Sequence, residues 1–586
     1  MKVLLVTLFV VVGFIFLSVN NPNYIAAATR TWDGSSSVNW SDSANWDTLP
    51  TDGDDLVFPA APGGFTTGLN CTFGTTVFQT ITFNDNYTVS CPNLFVSSNI
   101  DLVTANNVTI TSTITAMTHL FFNSVGNGAL TTSGTIDMNG NALTMSSNSG
   151  STMLINSTIT GTGSEIQVSG SGDIHFGGTA NSFVAPINLT GNLTLDSVAA
   201  TGPGNTLTTL GFFVPPILKS NINGSVDTGT NLVIGSNATW DLNGFDESPE
   251  SVTDQGIIIV DTGSNLTLGG SGGTFTSDNI YQGAGDILKA GVGTVTLTRD
   301  STFSGLATVQ TGTLIVNADF STTDVNITSG GILGGSGRIN NLTNYTGSVS
   351  PGSGSTDTLT VNGNTSLNTG TPLVIDIDSI APGDYDVLAT AGTAFITDAV
   401  LNINLGYVAL PTDTFTILTA TSIVGTFNGL PEGSIIIAAG RPLMIHYSGS
   451  EVRLTVASVG LSNSSFTSDP AVPTAGQPFT ITSVWTGSGP TPTGTAELFN
   501  GSTSLGTVSL VGGVATFNVA GLPEGTFNLT VQYSGDLNFA GAISSPLSLT
   551  VAAAALPNTG INLPVGLMGL GLIFSLGGVV GVKKKW

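Results

Sequence analysis

Gly293-Thr294-Val295-Thr296-Leu297 returns as Gly312-Thr313-Leu314-Ile315-Val316, an offset of 19 residues. A unit of roughly 20 residues is too short to enclose a core of its own and is about one coil of a β-helix, so neighbouring copies must stack and share a continuous core. Short runs of the same texture recur from Thr29 to about Val456, among them Val108-Thr109-Ile110, Leu143-Thr144-Met145, Asn192-Leu193-Thr194-Leu195 and Asn265-Leu266-Thr267-Leu268. Apolar and polar residues alternate within each run, and Gly, Asn and Ser clusters separate them, which is the pattern of half-buried strands joined by turns. No stretch of this region carries the 3.6-residue period of a long amphipathic helix. The 76 glycines and the 8% share of charged residues fit the same class, because Thr suits a pleated surface and Gly and Asn suit turns. Val, Ile, Leu and Phe recur throughout and bury enough surface to offset chain entropy, which excludes a disordered chain.

After residue 458 the texture changes. Pro470, Pro473, Pro478, Pro490 and Pro492 mark new turns, and strand-like runs follow at Phe479-Thr480-Ile481, Ala496-Glu497-Leu498-Phe499, Ala515 to Val519, Phe527 to Tyr533 and Leu547 to Val551. About seven short strands in some 90 residues is the size of an immunoglobulin-type sandwich, with Trp485 expected in its core. The fold class expected is therefore all-β: a β-solenoid over 29–457, with an N-terminal cap at 29–60, then an Ig-like domain over 458–552.

The two ends bear on location. Met1 and Lys2 precede an apolar run from Val3 to Leu17, and Ala26-Ala27-Ala28 then lead to Thr29, the order of a secretory signal peptide cut between Ala28 and Thr29. Residues 553–586 contain Leu556-Pro557-Asn558-Thr559-Gly560, an apolar stretch over 563–582 and Lys583-Lys584-Lys585. The apolar stretch is long enough to span a bilayer as a single helix, and the lysines favour the cytoplasmic side. Pro557, with its fixed φ and missing N–H, keeps the pentapeptide out of helix or sheet and open to a cleft. In this order the three parts resemble the sorting signal of LPxTG-type, sortase-anchored wall proteins. That resemblance implies cleavage between Thr559 and Gly560 by a sortase thiolate and transfer of Thr559 to an amine of a peptidoglycan precursor.

Further resemblances lie in the body of the chain. Thr31-Trp32-Asp33-Gly34, Trp40, Ala44-Asn45-Trp46 and Pro50-Thr51-Asp52-Gly53-Asp54-Asp55 are similar to the start of autotransporter-type passenger domains. Gly283-Ala284-Gly285, Lys289, Gly293 to Leu297, Thr302-Phe303-Ser304-Gly305 and Gly312-Thr313-Leu314 resemble the autotransporter-associated strand repeat. Gly330 to Gly337, Ser350-Pro351-Gly352, Thr358 to Gly363 and Asp384 to Leu388 continue it, so that 283–456 matches best. The resemblance implies a right-handed parallel β-helix acting as adhesin or stalk, although the outer-membrane barrel of that family is missing and the sorting signal stands in its place. Tyr533-Ser534-Gly535-Asp536 with Phe539-Ala540-Gly541 is similar to bacterial Ig-like repeats, which implies a spacer.

The formal charge is −26. Setting aside Lys2 and Lys583 to Lys585 leaves seven basic residues against 37 acidic ones, about −30 for the exported part. Such a field repels phosphate backbones and disfavours nucleic-acid partners.

The chain carries few signatures of chemistry. His119, His175 and His446 show no metal or triad spacing, and no glycine loop leads into Lys-Ser/Thr and a helix. No cofactor and no enzymatic activity are expected. Carboxylates that a glycan-cleaving β-helix would need are sought in Asp376 with Asp378 and in Asp384 with Asp386. The Asp52-Gly53-Asp54-Asp55 loop has oxygen ligands suited to calcium, but a turn capping the first coil is the preferred reading. Asn-x-Ser/Thr triplets such as those at Asn188, Asn265 and Asn341 follow from composition. Cys71 and Cys91, the only cysteines, stand one coil apart and are expected to bridge adjacent coils after export. The function expected is a wall-anchored adhesin or display stalk with an extracellular glycan or protein ligand. A polysaccharide lyase or hydrolase and a self-assembling surface-coat component are the alternatives.

Overall fold

Strands in which every second side chain is buried make up most of the chain. In the strand Thr294–Leu297 the two threonines face out, and Val295 and Leu297 face in. The computed structural model describes residues 27–60, 66–71, 73–178, 181–202, 204–209, 215–457, 460–487 and 490–555. Among these residues the only helix is the 3-10 turn Ser43–Asn45, and no helix is long and apolar enough to cross a membrane. The chain divides into two compact units after Ala457.

The first unit is a β-solenoid. A typical coil has three strands, as in Thr313–Val316, Asp319–Phe320 and Asp324–Ile327, and each pairs in parallel with its counterpart one coil later: Ile332–Gly335, Arg338–Ile339 and Leu342–Asn344. Three faces result. Face one carries Thr313–Val316 and, upstream, Leu143–Ser147; face two carries Asp319–Phe320 and, upstream, Thr152–Ile155; face three carries Asp324–Ile327 and, upstream, Thr113–Ala116, Thr135–Asp137 and Thr158–Thr160. The 19-residue repeat is a pair of stacked neighbours: Thr294 lies opposite Thr313, Val295 opposite Leu314, Thr296 opposite Ile315 and Leu297 opposite Val316. Elsewhere coil length varies, because loops at the corners absorb insertions without disturbing the ladder. Ile332 is opposite Ser348, whereas Leu388 is opposite Leu418.

Inward columns run down the stack. On face two Leu130, Met153, Ile174, Leu193, Leu218, Trp240, Ile258 and Tyr281 follow one another in register, each fully buried. Burial of one such aliphatic side chain contributes about 1.5–3 kcal/mol, repeated at every coil. Close stacking also explains a glycine in the repeat. Gly283 turns the corner at φ +100°, and a Cβ there would run into the backbone carbonyl of Val260 on the preceding coil.

Both ends of the stack are closed. At the first coils Trp32, Trp40 and Trp46 cover the open core together with Phe58, Phe83 and Tyr87; the Trp32 and Trp46 rings meet edge to face at 5.2 Å, and Phe58 stacks on Phe83 at 4.9 Å. At the far end the ladder turns antiparallel. Glu451–Val456 pairs with Thr414–Thr419 and with Arg441–Tyr447, which pairs in turn with Ile435–Ala438. The repeat pattern does not foreshadow this change of direction, which ends a parallel stack that would otherwise offer its last strand to another chain.

The second unit is a sandwich. Ser462–Asp469, Phe479–Thr486 and Val514–Val519 form one sheet; Thr503–Ser509, Thr495–Asn500, Gly525–Tyr533, Ala542–Ile543 and Leu547–Val551 form the other. Trp485 and Tyr533 pack at 5.6 Å in a core with Ile481, Phe517, Leu529, Val531 and Leu549.

Candidate functional site

Cys71 and Cys91 are joined as a disulfide, with their Cα atoms 5.0 Å apart. The pairing of Leu69 with Val89 in parallel explains the reach: counting two residues on from each partner gives the two cysteines, so they occupy equivalent places on successive coils. Ala28 and Thr29 lie at the first described rung. The Ala28 carbonyl accepts from the Asp55 N–H at 3.0 Å, and Thr29 stands opposite Asp55.

In the Asp52 to Asp55 loop the carboxylates of Asp52 and Asp54 are engaged by the protein itself. Asp54 accepts from the Arg30 guanidinium at 2.7 Å and from the Thr51 N–H and hydroxyl at 2.9 and 3.0 Å. Asp52 accepts from the Val77 N–H on the following coil at 2.7 Å. The loop thus ties the first coils together.

Asp376 and Asp378 do share one groove, about 430 Å³, with Ser355, Thr356 and Asn404. Asp376 accepts from the Asn404 amide at 2.7 Å. The other two candidates do not join them. Asp384 accepts from the Ser379 hydroxyl at 2.6 Å, and Asp386 is completely buried, accepting from the Asp357 and Asp376 N–H groups at 2.9 and 3.0 Å. Burial pushes the Asp386 carboxyl up to about 7, and the charges of Asp376 and Asp357 add to it, while the two N–H donors pull the other way. Its geometry is that of a brace between coils.

The three histidines stand on separate strands. His119 stacks on Phe121 at 4.1 Å and contacts the Thr144 hydroxyl at 2.8 Å; His175 meets Asp196 at 2.7 Å; His446 lies between Glu432 and Thr455. Among the described residues no three of His, Cys, Asp and Glu are grouped to hold a metal ion. Of the amides in Asn-x-Ser/Thr triplets, Asn188 donates to Glu165, Asn265 to Asp246 and Asn341 to Asp324. These contacts link successive coils.

Two features were missed in the sequence. Lys289 is fully buried, its ammonium donating to the carbonyls of Ala290, Gly291 and Thr311 at 2.7–3.0 Å, so a residue of the repeat acts as a corner brace. The other is a groove of about 650 Å³ on face three. Among the described residues that face has no strand between Thr160 and Asn265, and the segments around Val198, Asn223 and Asp246 form its wall instead. Backbone bonds still join these segments, as from the Ala199 N–H to the Gly224 carbonyl and from the Gly224 N–H to the Asp246 carbonyl, both 2.8 Å, and the Glu247 side chain adds to them: it is 2% exposed and accepts from the Ser225 N–H and hydroxyl at 3.2 and 2.5 Å and from the Val226 N–H at 3.0 Å. Burial raises its pKa, against the pull of these donors. A groove made by absent strands leaves no motif, which is why spacing did not reveal it.

The sorting residues Leu556, Pro557, Asn558, Thr559 and Gly560, the apolar stretch at 563–582, the tail at 583–585 and the signal peptide before Ala27 lie outside the described residues. Residues 466–552 match the family model of the bacterial Ig-like domain (group 3). No curated protein matches the chain.

Proposed function

We propose that this chain is an exported surface protein whose solenoid acts as a non-catalytic adhesin or display stalk, held to the cell wall through Leu556-Pro557-Asn558-Thr559-Gly560. The observation that carries the reading is the order of pentapeptide, apolar stretch and lysines directly after the last strand, Leu547–Val551, of a bacterial Ig-like domain. Export removes residues 1–28, and the apolar stretch at 563–582 halts the chain in the membrane. A sortase thiolate attacks the Thr559 carbonyl, the amine of Gly560 leaves, and an amine of a peptidoglycan precursor then displaces the thiolate to form a new amide. The Ig-like unit is the spacer, and the faces of the solenoid meet the extracellular ligand.

An all-β body braced at its corners by Asn, Asp and Lys289 supports a display role, as does the internal use of Asp54, Asp384 and Asp386. Cell fractionation tests the reading. Boiling detergent should leave the protein in the wall fraction, and muralytic digestion should release it; complete extraction by detergent overturns the anchoring. Incubation with a glycan panel should produce no new reducing ends, and their appearance would establish a hydrolase or lyase instead.

A further inference from the structure

We infer that the groove on face three, between the Val198 segment and Leu288, binds a neutral glycan. This deepens the proposed adhesin role by naming its ligand class, and rests on that reading only for the biological setting.

Along most strands the solenoid presents ladders of outward Thr, Ser and Asn, and the groove at Asp376 has little apolar lining. Here the strands of face three give way to loops, and the surface becomes concave over about 650 Å³, within the range of small-ligand sites. The lining is of two kinds. Val198, 55% exposed, and Leu288 offer apolar surface, with buried Val226 beneath. Asp227, Asp246, Asn223 and Asn265 offer oxygen acceptors, and Thr228 and Thr267 offer hydroxyls.

No Lys or Arg lines the groove, so an anionic ligand would find carboxylates and no counter-charge. The carboxylates are already partly held. Asp246 accepts from the Asn265 N–H and amide at 2.8 and 2.9 Å, Asp227 accepts from the Gly229 N–H at 2.9 Å, and Glu247 serves the backbone. Their remaining lone pairs suit O–H donors, and their mutual placement does not form a metal site among the described residues. A ligand with many hydroxyl donors, no negative charge and an apolar C–H face matches both linings, and a neutral sugar ring has all three. A basic peptide would pair with the carboxylates but leave the hydroxyls of Thr228 and Thr267 and the apolar surface of Val198 and Leu288 unmatched.

The test is titration calorimetry of the mature chain with neutral hexasaccharides, uronic-acid hexasaccharides and a lysine-rich peptide. Neutral sugars should bind, uronic-acid sugars should not, and Val198→Arg should weaken binding about tenfold or more. Val198 is exposed, so this variant keeps the fold; Asp227→Asn, which retains an oxygen acceptor for Gly229, should weaken binding less. Failure of every neutral sugar, equal binding by Val198→Arg, or binding of the peptide alone each overturns the inference. Because binding is measured in solution, its loss alongside intact wall attachment refutes the groove assignment, whereas retained binding by a detergent-extracted chain refutes the anchoring.

Discussion

Replacing Asp386 by Asn should change how stability depends on pH. In the folded chain this buried carboxyl titrates near 7, against 3.8 for the ordinary side chain. At about 1.4 kcal/mol per tenfold change in proton affinity, the difference amounts to roughly 4 kcal/mol. Because the folded state holds the proton more tightly than the unfolded state, the contribution is fully present below pH 3.8 and is lost as pH rises through about 7. The amide cannot titrate and lacks this dependence. It also turns an NH2 toward one of the two backbone N–H donors, a mismatch of about 1–3 kcal/mol at every pH. Urea unfolding of the mature chain, followed by tryptophan fluorescence, should therefore show the parent losing about 3 kcal/mol relative to the variant between about pH 4.5 and pH 8, so that the variant is the more stable of the two at the upper limit. A gap of constant size across that range would refute the argument, since it would mean that Asp386 does not titrate between those limits.

Glu247→Ala leaves the Ser225 and Val226 N–H groups and the Ser225 hydroxyl without their acceptor, and should lower unfolding free energy by about 3 kcal/mol or more in the same urea assay. Cys71→Ser with Cys91→Ser removes a bridge that closes a loop with a sequence separation of 20, worth about 3 kcal/mol by chain entropy; the parent, denatured without reductant, should show no free thiol. Trp40→Ala opens the aromatic cap and should cost about 3–5 kcal/mol, read as earlier thermal unfolding of the solenoid. Solution scattering from residues 29–455 should give a rod roughly 80 Å long, from rungs about 4.8 Å apart, and a sphere of the same mass would contradict the coil stacking.

Alternation made the solenoid legible, because a threonine facing water and a valine facing the core at every second place leave a period of two, as in Thr294 to Leu297. Stacking added the 19-residue echo. What alternation does not encode is where strands stop. The interruption of face three and the antiparallel closure at Arg441–Tyr447 arise from loop length and strand direction, neither of which changes the apolar pattern. Ser462–Asp469 and Thr503–Ser509 in the Ig-like unit escaped for a related reason: both are largely exposed, so neither carries an apolar run. Asp386 and Asp384 look equivalent in sequence, and only the fold, which buries one and leaves the other at a loop, separates them. A carboxylate that reinforces the pairing between coils, as Glu247 does, has no spacing signature.

The proposed display of the solenoid and its Ig-like spacer on the wall rests on an amide bond at Thr559. Intact mass analysis of the protein released by muralytic enzyme tests it most directly. The released chain should begin at Thr29 and end at Thr559, with a peptidoglycan fragment in amide linkage to that threonine. A chain that still carries Trp586, or that ends at Thr559 with a free carboxylate in every molecule, would contradict it.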